Sequence, residues 1–165
     1  MASLPVIDIS PLLSQEKDSS ETISSIGRAC RDHGFFYISN HGVSDEICKE
    51  AFAMMKKFFQ LPSAVKKEIH LKNVHSYHGY FSMGEEKNDF QVDLKEGVYI
   101  LPDFPLDHPE VVAKTNPLCG SRQWPREELV PGFKDFFTNW VNIMTDLSYV
   151  MMAAIAQSLG KYFDM

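Results

Sequence analysis

Nothing in this 165-residue sequence approaches an apolar run of 18 residues, which removes a membrane-spanning helix from consideration. Cysteine is scarce: Cys30, Cys48 and Cys119 are odd in number and far apart, so they do not outline a disulfide framework. Cys30 and Cys48 fall on helical faces and are expected to be buried free thiols, which suits a reducing, cytoplasmic setting. The first eight residues carry neither the basic start nor the apolar core of a secretory signal. Positive charge is in short supply. The formal net charge is −6, and the basic pairs Lys56-Lys57 and Lys66-Lys67 do not extend into a stripe, so they are expected to be solvated helix faces and no nucleic-acid partner is expected.

The motifs of several catalytic classes are also missing. No Gly-x-Gly-x-x-Gly follows a strand and there is no P-loop, so nucleotide binding has no support. Gly79-x-x-Ser82-x-Gly84 is one residue too long for a nucleophile elbow. His75-x-x-His78 offers zinc two ligands where four, or three and a water, are required. A non-haem iron site needs two histidines and a carboxylate on one face of the metal, with the first His and the carboxylate two apart on a strand. His108-Pro109-Glu110 has that spacing, but Pro109 cannot serve a sheet ladder and no histidine follows His108. His108 is therefore expected to be a solvent-exposed loop residue. No catalytic, cofactor-binding or metal-binding residue is assigned.

What the chain does contain is an ordinary globular composition, 44% hydrophobic and 23% charged, in a length suited to one domain with a real core. The most informative stretch is Gly34-Phe35-Phe36-Tyr37-Ile38-Ser39-Asn40-His41-Gly42-Val43. It predicts a helix stop at Gly34, a buried strand over Phe35 to Ile38, and a sharp exit through left-handed Asn40 and Gly42. Leu4 to Ser10 alternates as a short half-buried strand, with Pro5 at its edge or start and Pro11 at its end. Gln15 to Ser20 is a polar loop. A helix follows from about Ser20 to His33, capped by Asp18 or Ser20, with Ile23, Ile26, Ala29 or Cys30, and His33 at helical spacing. A second helix starts at Ser44, buries Ile47, Ala51, Met54 or Met55 and Phe58, and breaks at Leu61-Pro62. Ser63 is expected to cap a short turn through Glu68.

From Ile69 to Phe90 the periodicity vanishes, and Asp93 to Leu101 resumes as a strand. Pro102 to Pro131 is a long proline-rich excursion, of the length that is usually functional or wrapped over a neighbour. The last element is a helix from about Pro131 to Leu159 whose apolar positions keep a 3.6-residue period, closed by Gly160. Tyr162 to Met165 then ends the sequence without a polar tail.

Several of these pieces occur together in a set: Leu4-Pro5-Val6-Ile7-Asp8, Gly34-Phe35-Phe36 with Asn40-His41-Gly42-Val43, Phe58-Phe59-x-Leu61-Pro62, Gly79-Tyr80, Asp93-x-Lys95-Glu96, Trp124-Pro125 and Pro131-Gly132-Phe133. In number, order and spacing the set resembles the N-terminal region of the isopenicillin N synthase-like non-haem iron dioxygenases, over nearly the whole chain. The resemblance implies an α+β fold: the helical and mixed N-terminal region of a distorted jelly roll (double-stranded β-helix), with a few short strands, a long C-terminal helix and the jelly roll itself incomplete. Residues 1–165 would be one domain, made of a strand-helix-strand-helix and edge-strand part (4–101), a proline-rich loop (102–130) and the helix that backs the jelly roll (131–160).

The resemblance also implies Fe(II) and 2-oxoglutarate as cofactors of the complete fold and a small organic molecule as substrate. The family's iron ligands, His-x-Asp and a later His, and its Arg-x-Ser for the cosubstrate lie beyond the region matching Tyr162-Phe163, so this chain alone is expected to bind neither cofactor. His41 is implied to be a hydrogen-bonded structural histidine of the fold-determining turn. His75, Tyr77 and Tyr80 are implied as border residues of the substrate mouth. Two readings follow: an N-terminal scaffold, incompetent by itself, whose long helix waits for the missing catalytic half or a covering partner chain; or a stand-alone binding or regulatory module that has dropped that half.

Overall fold

Gly34 and Gly160 close two helices in the same way, each in the left-handed region, at φ 72° and 67°. The computed structural model describes residues 3–14, 18–88 and 91–161. Parts of three expectations, the loop over Gln15 to Ser20, the aperiodic stretch reaching Phe90 and the ending at Tyr162 to Met165, lie outside the described residues. The chain divides into two compact units, one of residues 1–48 and 142–165 and the other of residues 49–141, with the boundaries inside two helices.

In the first unit, β1 (Val6–Asp8) and β2 (Tyr37–Ser39) form a parallel pair in which Ile7 lies opposite Ile38. Pro5 costs this pair nothing, because only its carbonyl is used, by Tyr37 N–H at 2.9 Å. Pro11 does not simply end the strand. It sits in the first turn of a short helix, α1 (Ser10–Leu13), where a proline lacks no needed donor. Between the strands runs α2 (Ser20–Asp32). Of the two expected caps it is Asp18 that works, its carboxylate accepting from Ser20 N–H at 2.9 Å and Ser20 Oγ–H at 2.6 Å. At the other end His33 N–H and Gly34 N–H both reach the Ala29 carbonyl. The core gathers Ile7, Ile9, Ile26, Ala29 and Ala154, with Phe36, Ile38, Leu147 and Met151 packed on it.

Two expectations are corrected here. The strand is half-buried, not buried: Phe36 and Ile38 turn inward, while Phe35 and Tyr37 are 73% and 62% exposed. Alternation along the chain puts neighbouring side chains on opposite faces, and one face of this pair has no cover among the described residues. Cys30 is exposed, because Ala29 takes the inward position and the next residue is rotated about 100° away from it. The turn after β2 follows its expectation: Asn40 (φ 55°) and Gly42 (φ 79°) are left-handed, and His41 Nδ1 accepts from Val43 N–H at 3.2 Å. Ser44 Oγ then caps α3 (Asp45–Phe59) through Ile47 N–H.

The second unit is built on aromatic packing. Phe58 of α3 lies against Phe59, Tyr80 and Phe133, and Phe133 packs on Phe137 with ring centres 4.5 Å apart. Such pairs add roughly 0.5–1.5 kcal/mol each beyond the area they bury. After Leu61 the chain enters α4 (Ser63–Lys66), whose cap position is Pro62 with no side-chain bond, so Ser63 is its first residue and not its cap. Lys66 is only 6% exposed, which overturns its reading as a solvated charge. Two single 3-10 turns, Lys67–Ile69 and Leu71–Asn73, lead to β3 (Gly79–Phe81). β4 (Lys87–Asn88) and β5 (Gln91–Val92) pair antiparallel, and β6 (Gly97–Tyr99) returns antiparallel to β3. The expected strand from Asp93 to Leu101 is thus ordered as a ladder only over those three residues.

The proline-rich excursion contains one short helix, α5 (Pro109–Ala113). His108 is its cap: Nδ1 accepts from Glu110 N–H at 3.3 Å, and the ring meets Phe104 edge-on at 5.1 Å. It is half-buried, so the expected solvent-exposed histidine is corrected as well. The last helix, α6 (Phe133–Ser158), passes from the second unit back into the first. It ends with Gly160 N–H on the Gln157 carbonyl and Lys161 N–H on Ala156, the paired bonds that the left-handed glycine permits. Tyr149 and Met152 of α6 stand exposed. Short strands, several helices and no closed barrel among the described residues make this a mixed α+β structure.

Candidate functional site

The β3–β6 pair separates two environments. Tyr80 points to the aromatic core, and its hydroxyl donates to Glu96 Oε2 at 2.6 Å. Burial, then that carboxylate, pushes the Tyr80 hydroxyl up to about 12. The same oxygen of Glu96 receives Lys66 Nζ at 2.7 Å, and Nζ also donates to the Phe59 carbonyl at 3.1 Å. Partial burial raises the Glu96 carboxyl, but the bonds from Lys66 and Tyr80 outweigh it and hold it below the ordinary value.

Phe81, one residue further, faces the opposite way. Its ring lies over Gly97, where a Cβ would stand 2.4 Å from Phe81 Cζ, and packs on Tyr99 with ring centres 5.2 Å apart. These two rings form one wall of a cavity of about 440 Å3 that also touches Leu71, Tyr77, Leu101 and Leu118. Gly79 makes the approach possible. It has φ 129° and its α-carbon lies so close to the Ile69 carbonyl that a Cβ would come within 2.2 Å of that oxygen.

Two consecutive carboxylates tie the rim to both sides. Glu85 Oε2 accepts from Ser82 N–H at 2.6 Å and from His70 Nε2 at 2.7 Å, while Oε1 meets Lys72 Nζ at 3.3 Å. His70 Nδ1 accepts from Lys72 N–H at 3.1 Å, which places the ring proton on Nε2 and makes His70 the donor to Glu85. The Ser82 N–H, followed by His70, holds the Glu85 carboxyl at about 2. Glu86 turns to the other side and takes Lys95 Nζ at 2.7 Å and the Tyr99 hydroxyl. Those bonds hold the Glu86 carboxyl below its usual range.

Of the three residues named from sequence, only Tyr77 lines this cavity, half-exposed and with no hydrogen-bond partner for its hydroxyl among the described residues. His75 is exposed, with Nε2 3.2 Å from the Lys114 carbonyl, and Tyr80 is committed to the core. The expectation passed over Phe81, Tyr99, Glu85 and Glu86. The period-2 alternation at Tyr80-Phe81 was the one available signal for Phe81.

Four of the six histidines are committed to other groups. His78 is fully buried, with Nδ1 on Ser76 Oγ at 2.9 Å and Nε2 on the Pro102 carbonyl at 3.2 Å, and burial holds it below the ordinary histidine value. His70 spends both nitrogens as described, and His41 and His108 each spend one on a backbone N–H. Among the described residues no three His, Cys, Asp or Glu side chains converge on a point where a metal would sit. No chemical step through iron is assigned to them.

A family model described as non-haem dioxygenase in morphine synthesis N-terminal matches residues 4–127. A 1-aminocyclopropane-1-carboxylate oxidase of Dictyostelium mucoroides is 34% identical over 159 residues, 95% of this chain and 42% of its own length. A homoarginine-6-hydroxylase of Oryza sativa subsp. japonica is 31% identical over 170 residues, 98% of this chain and 51% of its own. Among solved structures, a full-length Neurospora crassa protein crystallised in complex with alpha-KG matches with TM-score 0.75 and 27% identity, over 96% of this chain and 47% of that one. A putative 2OG-Fe(II) oxygenase family protein from Caulobacter crescentus, 22% identical with TM-score 0.75, shares the fold over 98% of this chain and 50% of its own. The chain spans about half the length of the curated relatives it matches. With three quarters of its residues inside the matched model and nearly all of them inside these alignments, the chain belongs to the N-terminal family of the non-haem dioxygenases.

Proposed function

We propose that this chain is the N-terminal scaffold portion of a 2-oxoglutarate- and Fe(II)-dependent oxidoreductase acting on a small organic molecule. In this reading a C-terminal catalytic half, or a covering partner chain, holds the iron and the cosubstrate, and the chain is incompetent by itself. The observation that carries it is the lopsided alignment: 95% of this chain is spent on 42% of an oxidase of the same family. The outward Phe35 and Tyr37 and the exposed Tyr149 and Met152 support a scaffold that expects more protein around it. The three free cysteines agree with a reducing, cytoplasmic setting, and the net charge of −6 with a partner other than nucleic acid.

The test is an Fe(II) titration of the purified chain followed by a 2-oxoglutarate turnover assay. Neither stoichiometric iron nor succinate is expected from the chain alone, and both are expected once a C-terminal half is joined to it. Tight one-to-one iron binding with turnover by the 165 residues would refute the reading. A chain that melts cooperatively as a monomer, binds no dye that reports apolar surface and gains no turnover from a C-terminal half would point instead to a stand-alone binding or regulatory module derived from the family.

A further inference from the structure

The cavity beside β3 and β6 is built for a ligand, and its chemistry says which kind. Its sides are ring faces and aliphatic side chains: Tyr77, Phe81 and Tyr99 with Leu71, Leu101 and Leu118. Phe81 and Tyr99 are packed on each other at 5.2 Å and tilted by 31°, a fixed aromatic surface against which another ring can pack. Roughly 150 Å3 of apolar cavity accommodates benzene; 440 Å3 leaves room for two fused rings and a substituent.

The carboxylates at the rim are already paired. Glu85 is shared among Ser82 N–H, His70 and Lys72, and Glu86 between Lys95 and the Tyr99 hydroxyl. The lining ammonium, Lys72, is 73% exposed and shared with Glu85 at 3.3 Å, so a charged ligand would give up water for a counter-charge that solvent and Glu85 already compensate. The neutral polar side chain that remains available is Tyr77, half-exposed and with its hydroxyl unpartnered among the described residues.

We propose that this cavity binds an uncharged, flat, one- or two-ring compound that stacks on Phe81 and Tyr99 and exchanges one hydrogen bond with the Tyr77 hydroxyl. Every described lining residue belongs to the second unit, so the binding stands whether or not the oxygenase reading does; if both hold, such a ring compound is the candidate substrate class.

The experiment uses the 165-residue chain and three probes of one shape: 2-naphthol, 2-naphthoate and 2-naphthylmethylamine in its ammonium form, titrated by calorimetry. 2-Naphthol is expected to bind saturably at one site, with Kd on the order of 100 µM for a ligand of this size. The two charged probes are expected to bind at least about tenfold more weakly. Leu118→Arg, at an exposed position of the wall, should abolish binding, and Tyr77→Phe should weaken it about fivefold. Phe52→Ser, which removes an exposed ring outside the cavity, should leave it unchanged. Near-ultraviolet circular dichroism reports whether each variant keeps its packing. If Leu118→Arg loses it, Tyr77→Phe decides. Unsaturable uptake, equal affinity for the charged probes, sensitivity to Phe52→Ser or indifference to Tyr77→Phe would each overturn the proposal.

Discussion

Lys66 and Glu96, 30 residues apart in sequence, meet at 2.7 Å beneath the β3–β6 pair, with the lysine almost wholly out of water. A buried ammonium needs its counter-charge, and here one carboxylate oxygen serves both Lys66 and the Tyr80 hydroxyl. The contact joins α4 to the approach of β6 and pins the core face of the sheet whose other face forms the cavity.

Removing one partner of this pair should therefore cost more than removing the other. Glu96→Gln leaves Lys66 charged and enclosed, and should lower stability to urea by about 2–3 kcal/mol, since Glu96 retains some contact with water. Lys66→Met replaces the ammonium with apolar volume and leaves a carboxylate that can still be hydrated, so it should cost clearly less. Equal losses in equilibrium denaturation would mean that the pair is not what holds these segments.

His78 makes stability fall on mild acidification. The folded chain keeps the ring neutral, below the 6.5 of a free histidine, because burial disfavours the charge. Above 6.5 neither state binds the proton. Below it the unfolded chain takes up a proton that the folded chain refuses, so stability declines as pH drops below 6.5. His78→Gln, which can still donate to the Pro102 carbonyl, should flatten that slope when urea midpoints are compared across pH.

Glu85 governs a separate, lower window. Its carboxyl titrates at about 2 when folded against an ordinary 4.5, so its contribution is complete above 4.5 and disappears as pH falls toward 2. Glu85→Gln should remove acid sensitivity there while leaving the histidine-dependent slope that begins below 6.5 in place. Acid titration of both variants by circular dichroism separates the two.

Gly79→Ala should be the most damaging small substitution in the second unit. The position combines φ 129° with a Cβ that would stand 2.2 Å from the Ile69 carbonyl oxygen and 2.7 Å from Gln123 Nε2. A loss of roughly 3 kcal/mol or more is expected from strain and overpacking together. Gly34→Ala, equally left-handed but with nothing within 4 Å, should cost only about 1 kcal/mol in the same thermal or chemical melt.

Much of the local structure could be read from neighbouring residues alone. Asp18, Ser44, Gly34, Gly160 and the Asn40-His41-Gly42 turn each act through bonds to backbone a few positions away, and the stripes of α2, α3 and α6 follow from helical spacing. Those features depend on short-range geometry, which a linear string preserves. The family likeness was legible for the same reason, since its motifs are turns and caps at set intervals.

What the string could not carry is which of two adjacent residues faces which neighbour. Lys66 and Lys67 look alike in sequence, yet only Lys66 is buried, because Glu96, just ahead of β6, arrives to receive it. Tyr80 and Phe81 divide between core and cavity only once β3 has a partner in β6, and Ala29 rather than Cys30 turns inward only once Ile7 and Ala154 are there to meet it. Composition, caps and periodicity determined β1, β2, the three longer helices and their order; the short strands of the second unit, the assignment of faces, and with it the cavity and its paired carboxylates, were decided by contacts between segments 15 or more residues apart, which exist only after the chain has folded.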